Sequence, residues 1–140
     1  MKKDVIISIS GRQDYEDQSP EKVELVTNGQ YYLRGGKYYI VYEESALTGM
    51  EGTKTTMKIE PDALTILRTG AVSSQLRLCA GQRHTALYQS NYGPLNISTI
   101  TQSLTSQLGE DGGFLEVSYA VEVDHVYTNT NYLRLEIRPA

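Results

Sequence analysis

The chain has little of the chemistry that disulfides and metal sites need, with one cysteine and two histidines in 140 residues. Because Cys79 has no second cysteine to pair with, no internal disulfide can form, and we expect a protein of the reducing cytoplasm. His84 and His125 lie far apart, without a cysteine or carboxylate at the spacing of a zinc site. The sequence therefore predicts no metal and no other cofactor.

Long apolar runs are also missing. No segment approaches the roughly 20 apolar residues that a membrane-spanning helix needs. The opening MKKDVIISIS has Asp4 after its lysines, and its apolar stretch is too short for the hydrophobic region of a signal peptide. We expect no membrane as a partner and a cytoplasmic location.

Positive charge is scarce in the C-terminal part of the chain. The formal net charge is -4, and residues 85–140 carry only Arg134 and Arg138 against six acidic side chains. Proteins that bind nucleic acids concentrate lysine and arginine on one face, because neutralising phosphates supplies much of their affinity. Nucleic acid is therefore not an expected partner.

Turn-forming residues recur at short, regular intervals along the whole chain, among them Asn28-Gly29, Gly35-Gly36, Pro61-Asp62, Gly93-Pro94 and Asn129–Asn131. The segments between them are rich in Val, Ile, Thr and Tyr, a rhythm typical of all-β sandwiches and barrels. In FLEVSYAVEV, alternate residues from Leu115 to Val123, Tyr119 included, share one face. This alternation predicts antiparallel strands with one face inward and one in water.

Eleven strands are predicted, at residues 4–12, 21–28, 30–34, 37–44, 53–60, 63–69, 74–80, 83–91, 95–106, 113–124 and 131–138. Residues 95–106 keep a helical alternative, because Ile97, Ile100, Leu104 and Leu108 follow a helix period. The threonines and serines of the same segment favour a strand.

So many strands without covering helices need a solution for their exposed edges, and closing the sheet removes the edges. We therefore expect a single all-β domain over residues 1–140. Its predicted architecture is an antiparallel, closed or nearly closed β-barrel of about eight to ten strands.

Four segments in order carry a resemblance to a known family: YYIVYEESALTG (38–49), TKTTMKIEPDALTILRTG (53–70), YQSNYGPL (88–95) and GFLEVSYAV (113–121). Together they resemble the YwiB-like family of uncharacterised bacterial proteins, and the resemblance covers nearly the whole chain. It implies a calycin-like β-barrel of the lipocalin type. It transfers no catalytic residue, because the family has no settled activity.

Tyrosine is the main aromatic residue, with 11 tyrosines, one phenylalanine and no tryptophan. In YQSNYGPL, Tyr88 and Tyr92 would point to the same face of a strand that ends at Gly93-Pro94. One interpretation is a tyrosine rim at a barrel end. The other is that the hydroxyls orient the polar end of a ligand, which suits tyrosine's apolar ring and polar tip.

Arg68 falls in phase with Leu64 and Ile66, on the predicted inner face. Glu44, in phase with Tyr42, is the expected carboxylate partner. Three interpretations stay open: the arginine head reaches solvent at a strand end, it forms a structural ion pair with Glu44, or it binds an anionic group of a ligand.

Two functional hypotheses follow. The first is a cytoplasmic barrel that binds a small, partly apolar molecule, with candidate binding residues Arg68, Glu44, Tyr42, Tyr88, Tyr92 and Tyr119. The second is an interaction protein or homodimer with a side-chain-filled barrel and a tyrosine-rich outer surface. An enzyme is the less favoured alternative, because it needs a general acid and base within reach of each other in a pocket.

Overall fold

The computed structural model of the chain describes residues 2–71, 73–90 and 93–140. Ten strands and one short 3₁₀ helix form within them. The elements are β1 (Lys3–Tyr15), β2 (Glu21–Arg34), β3 (Lys37–Glu43), the 3₁₀ helix (Ala46–Thr48), β4 (Thr53–Ile59), β5 (Ala63–Gly70), β6 (Ser74–Cys79), β7 (Arg83–Ser90), β8 (Gly93–Gly109), β9 (Gly112–Val123) and β10 (Val126–Pro139). Within these ranges no helix has the length and apolar character to cross a membrane.

All ten strands form one sheet in the order β6-β5-β4-β3-β2-β1-β10-β9-β8-β7, and every pair is antiparallel. The edges of the sheet among the described residues are β6 and β7, which follow each other directly in the chain, so the sheet curls on itself to bring them together. The turn between these edges bonds to β8, where the Thr101 amide donates to the Gln82 carbonyl oxygen at 3.1 Å. The predicted nearly closed antiparallel barrel is confirmed.

Alternating strand directions place the chain reversals at two ends of the barrel. We call one end the mouth; it carries the connections β1–β2, β3–β4, β5–β6 and β9–β10. The other end, the base, carries the connections β2–β3, β4–β5 and β8–β9. Residues late in β1, β3 and β5 and early in β2, β4 and β6 therefore surround the mouth.

The half of the barrel toward the base is filled by apolar side chains. Apolar residues with no exposed surface come from six different strands: Ile7, Ile40, Leu64, Leu78, Leu115 and Leu135. At the base itself, Tyr31 stacks on Tyr38 with 5.4 Å between ring centroids. The Tyr31 hydroxyl donates a 2.7 Å hydrogen bond to the Gly109 carbonyl oxygen and so ties β2 to the far side of the barrel.

One predicted turn is wrong. Asn28-Gly29, expected to separate strands 21–28 and 30–34, lies inside the continuous β2. A Cβ atom at Gly29 would lie 2.6 Å from the Val41 backbone oxygen, closer than real side chains approach. Glycine at this position therefore serves the close packing of neighbouring strands, and a turn propensity was the wrong interpretation of it.

A second predicted turn is also wrong, because residues 129–131 lie inside β10. The chain reverses instead at Asp124 and His125, whose φ angles are +49° and +69°. Asp124 tolerates this left-handed backbone and also accepts a 3.0 Å hydrogen bond from the Asn96 amide through its carboxylate.

Residues 95–106 are a strand, so the helical alternative is wrong. The helix-like spacing has a physical cause in a register shift between Thr101 and Ser103. Before the shift Ile97 lies opposite Val123, and after it Leu104 lies opposite Val117, so inward positions change from odd to even numbers. A bulged strand can thus imitate the apolar spacing of a helix.

Candidate functional site

A cavity of about 260 Å³ opens at the mouth of the barrel. Its apolar wall comes from six strands and includes Ile9, Leu25, Met57, Ile66, Leu76 and Leu133. Four of the six predicted binding residues line the same cavity: Tyr42, Glu44, Arg68 and Tyr119. The sequence-based grouping of these four side chains therefore corresponds to one place in the fold.

Strand register brings the polar side chains together. Tyr42 on β3 lies opposite Thr55 on β4, and Thr55 lies opposite Arg68 on β5. The three residues form a row across the inner face of the sheet, since directly paired residues point to the same side. Glu44 follows Tyr42 by two positions and so joins the same face.

Glu44 has a buried carboxylate with well-defined partners; its side chain is 2% exposed. The Thr55 hydroxyl donates to Oε2 at 2.6 Å, and the Thr48 hydroxyl donates to Oε1 at 3.1 Å. The Glu44 amide donates to the Thr53 carbonyl oxygen at 2.8 Å. Both carboxylate oxygens are thus satisfied by hydroxyl groups.

Arg68 lies beside this carboxylate without a hydrogen bond to it. Its Nε is 3.8 Å from Glu44 Oε2, within ion-pair distance but beyond hydrogen-bond distance. Nε is buried and has no hydrogen-bond partner among the described residues. Since the side chain is 25% exposed, the guanidinium lies at the boundary between the core and the cavity.

The two tyrosines of the cavity are held in their neutral form. Burial raises the pKa of Tyr42 above its ordinary value of 10.0, and the Glu44 charge raises it further, while Arg68 opposes the shift. Burial also raises the pKa of Tyr119, and Arg68 again acts in the opposite sense. Both phenols are therefore protonated near neutral pH and can donate hydrogen bonds.

The connection between β3 and β4 (residues 44–52) covers one side of the mouth. Ser45 begins its 3₁₀ turn by accepting a 3.3 Å hydrogen bond from the Leu47 amide, and Gly49 ends it with φ +73°. Leu47 and Met50 line the cavity from this loop. The bond from Thr48 to Glu44 ties the loop to the polar row.

The remaining two predicted site residues are Tyr88 and Tyr92. Tyr92 lies outside the described residues. For Tyr88 the description extends only to the backbone, which pairs with Leu95 in the β7–β8 hairpin. Their proposed role at a rim stays a prediction.

Sequence reasoning missed the two threonines that bind Glu44. Thr55 alternates with Met57 and Ile59 in TKTTMKI, so its inward direction could have been found from the strand pattern. Thr48 ends the single 3₁₀ turn between β3 and β4, and a turn this short has no periodicity that gives its direction. No group of three or more histidine, cysteine or acidic side chains within the described ranges could hold a metal ion.

Comparisons with known proteins place these features in a family. Residues 7–135 match the family model described as "Domain of unknown function (DUF1934)". The chain is 30% identical over 135 residues to the "Uncharacterized beta-barrel protein YwiB" of Bacillus subtilis (strain 168), covering 93% of this chain and 94% of that protein. The crystal structure of the ywiB protein from Bacillus subtilis superposes with a TM-score of 0.84 at 24% identity, over 99% of this chain and 93% of that one.

Proposed function

The chain belongs to the DUF1934 family of unknown function, and we propose that it binds a small, partly apolar molecule in the mouth cavity. The observation that carries the proposal is the composition of the cavity wall, in which apolar side chains lie beside Tyr42, Glu44 and Arg68, with further polar residues such as Arg12 and Glu21 at the rim. Ligand sites typically combine a mainly apolar surface with a few polar groups that fix orientation.

The size of the cavity limits what it can hold. At about 260 Å³, it lies just below the range of pockets for drug-sized ligands, roughly 300–1,000 Å³. With roughly 30 Å³ for a group the size of a water molecule, the cavity accommodates on the order of eight non-hydrogen atoms. The ligand is therefore a small metabolite rather than a long lipid chain.

The packing of the barrel supports the mouth as the binding region. Toward the base, apolar side chains from six strands have no exposed surface, as in small barrels that are filled by their own residues. In this proposal the protein is a cytoplasmic, calycin-type barrel with a shallow binding cavity at its mouth. There the free, half-buried Cys79 stays a thiol.

Native mass spectrometry of the gently purified protein, compared with the denatured chain, tests the proposal. We expect an additional small mass that is lost on denaturation. The variant Leu76→Trp would fill the cavity from β6 and abolish this mass. The matched control Leu87→Trp changes a residue that is 63% exposed on β7 and should keep it. Equal masses for the native and the denatured chain would contradict the proposal. Loss of the additional mass in both variants alike would contradict it as well.

A second candidate function is association with another protein copy through the outer surface. Tyr32 and Tyr39 stack there with 5.0 Å between ring centroids, and tyrosine is enriched in the cores of interfaces. The same native spectra test this candidate, which requires a dimer or larger species that Tyr39→Ser dissociates. A monomer in the wild-type spectrum would exclude it.

A further inference from the structure

We infer that the ligand carries a single carboxylate, bound by the guanidinium group of Arg68 beneath the mouth. This inference rests on the proposed binding function and adds the chemical class of the ligand to it. It is carried by the unused hydrogen-bonding capacity of Arg68, the satisfied state of Glu44, and the position of Tyr119.

Arg68 has donors to offer. Its buried Nε has no hydrogen-bond partner within the described ranges, and its nearest carboxylate oxygen is 3.8 Å away. A buried donor without a partner is destabilising, and a charged one more so. Because Nε is itself buried, a ligand oxygen would first meet the exposed part of this side chain and would supply the missing acceptor after a small rotation of the guanidinium. The planar guanidinium favours a carboxylate, which can accept two of its N–H groups at once.

Glu44 neutralises the charge of Arg68 only partly, and its carboxylate does not depend on Arg68 for hydrogen bonds. Its two oxygens already accept hydrogen bonds from Thr55 at 2.6 Å and from Thr48 at 3.1 Å. The carboxylate would thus keep its own partners when a ligand engages Arg68. A cationic ligand is disfavoured, since Arg68 would repel it and Glu44 has little remaining accepting capacity in the cavity.

Tyr119 supplies a second donor on the opposite wall. It lines the same cavity as Arg68, from β9. Because burial raises the pKa of this phenol, it stays protonated and can donate to a carboxylate oxygen. The apolar part of the ligand would then lie against Met57, Ile66 and Leu76.

The surrounding charges limit the ligand to one negative charge. Glu44 lies beside Arg68, and Glu21 adds a carboxylate at the rim of the cavity. Arg12 on the same rim is engaged by Asp14, with 3.0 Å between Nε and Oδ1, and by the Tyr132 ring, 4.2 Å from its guanidinium carbon. A dianion such as a phosphate monoester would place its second charge among these carboxylates, and the described residues of the cavity lining offer no further free cation to balance it.

Titration of the isotope-labelled protein with hexanoate, 1-hexanol and hexylamine, followed by NMR, tests this inference. The three probes share a tail and have about the number of non-hydrogen atoms that the cavity volume allows. We expect all hexanoate-induced shifts to centre on the cavity residues, and hexanoate to bind about 10-fold or more tightly than 1-hexanol. Hexylamine should bind most weakly.

Variants separate the charge of Arg68 from its structural role. Arg68→Gln should weaken the binding of hexanoate by about 10- to 100-fold and change the affinity for 1-hexanol by no more than about twofold. The control Arg138→Gln, at an exposed arginine on the outer face of β10, should change neither probe. Should Arg68→Gln fail to fold, Glu44→Gln provides the second test: it removes the neighbouring negative charge and should strengthen hexanoate several-fold.

Two contrary results have different meanings. Equal binding of hexanoate and 1-hexanol in the cavity would overturn the carboxylate inference and leave the binding function standing. No shift of cavity residues with any of the three probes would overturn the binding function, and the inference with it.

Discussion

Replacing Glu44 by alanine removes the acceptor on which the polar row at the mouth depends. In the wild-type protein the carboxylate is 2% exposed and accepts from the hydroxyls of Thr55 and Thr48. It also lies 3.8 Å from Arg68 Nε. The variant leaves Thr55 and Arg68 without this partner and takes one of two acceptors from Thr48, whose hydroxyl also lies 3.1 Å from the Ser45 carbonyl oxygen. Its stability therefore reports how much the row contributes to the fold.

The expected cost follows from the burial of each group. Thr55 has no exposed surface, and a buried hydroxyl that loses its partner costs about 1–3 kcal/mol. Arg68 is a quarter exposed and can turn toward solvent, so we discount its unpaired charge to about 1 kcal/mol. The half-exposed Thr48 adds about 0.5 kcal/mol. The free energy of unfolding should fall by about 2.5–4.5 kcal/mol, which lowers Tm by about 8–16 °C.

Chemical denaturation of Glu44→Ala, Arg68→Met and the double variant measures this cost and the coupling between the two residues. Because the ion pair lacks a hydrogen bond and lies partly in solvent, we expect a coupling energy below about 1 kcal/mol. A loss below about 0.5 kcal/mol in Glu44→Ala would refute the role of the row in stability. A coupling above about 2 kcal/mol would mean that Arg68 serves Glu44 as a structural partner and is not free for a ligand.

Three further outcomes are expected. Gly29→Ala should lower the free energy of unfolding by about 1–3 kcal/mol, because the added Cβ would lie 2.6 Å from a backbone oxygen. The control Gly11→Ala would place its Cβ 4.0 Å from the nearest atom and should be near neutral in the same denaturation experiment. The pKa of Tyr42 is raised in the folded protein, so its neutral phenol stabilises the fold fully below the ordinary value of 10.0 and progressively less as pH rises above it. The free energy of unfolding should therefore fall above about pH 10, and it should fall less steeply in Tyr42→Phe. An equal dependence on pH in the two proteins would contradict this. Thr48→Val removes the hydrogen bond between residues 44–52 and the Glu44 carboxylate, so limited proteolysis should cut this loop faster than in the wild type. An unchanged cleavage rate would mean that this hydrogen bond does not hold the loop in place.

The sequence pattern predicted much of the fold and part of the site, for one physical reason. Inward and outward residues alternate strictly in a strand, so the phase of Arg68 with Ile66 and of Glu44 with Tyr42 gave the direction of each side chain. Short turns between consecutive strands make sequence neighbours pair, which brings β3, β4 and β5 side by side. The proximity of Arg68 and Glu44 follows from these two rules.

Other features could not be predicted because they depend on contacts between distant strands. Gly29 has the local character of a turn residue, and only the approach of β3 explains it. The register shift near Ser103 changes the phase of β8 and imitates a helix. The position of Thr48 follows from a single 3₁₀ turn between β3 and β4, and the cavity volume depends on how all the strands pack together.

A crystal structure of the protein with hexanoate bound would test the central claim most directly. We predict density in the mouth cavity, with a carboxylate oxygen about 2.7–2.9 Å from an Arg68 guanidinium nitrogen and the tail against Met57, Ile66 and Leu76. Glu44 should keep its bonds to Thr55 and Thr48. Hexanoate bound outside the cavity, or inside it with its carboxylate turned away from Arg68 toward solvent, would contradict the account.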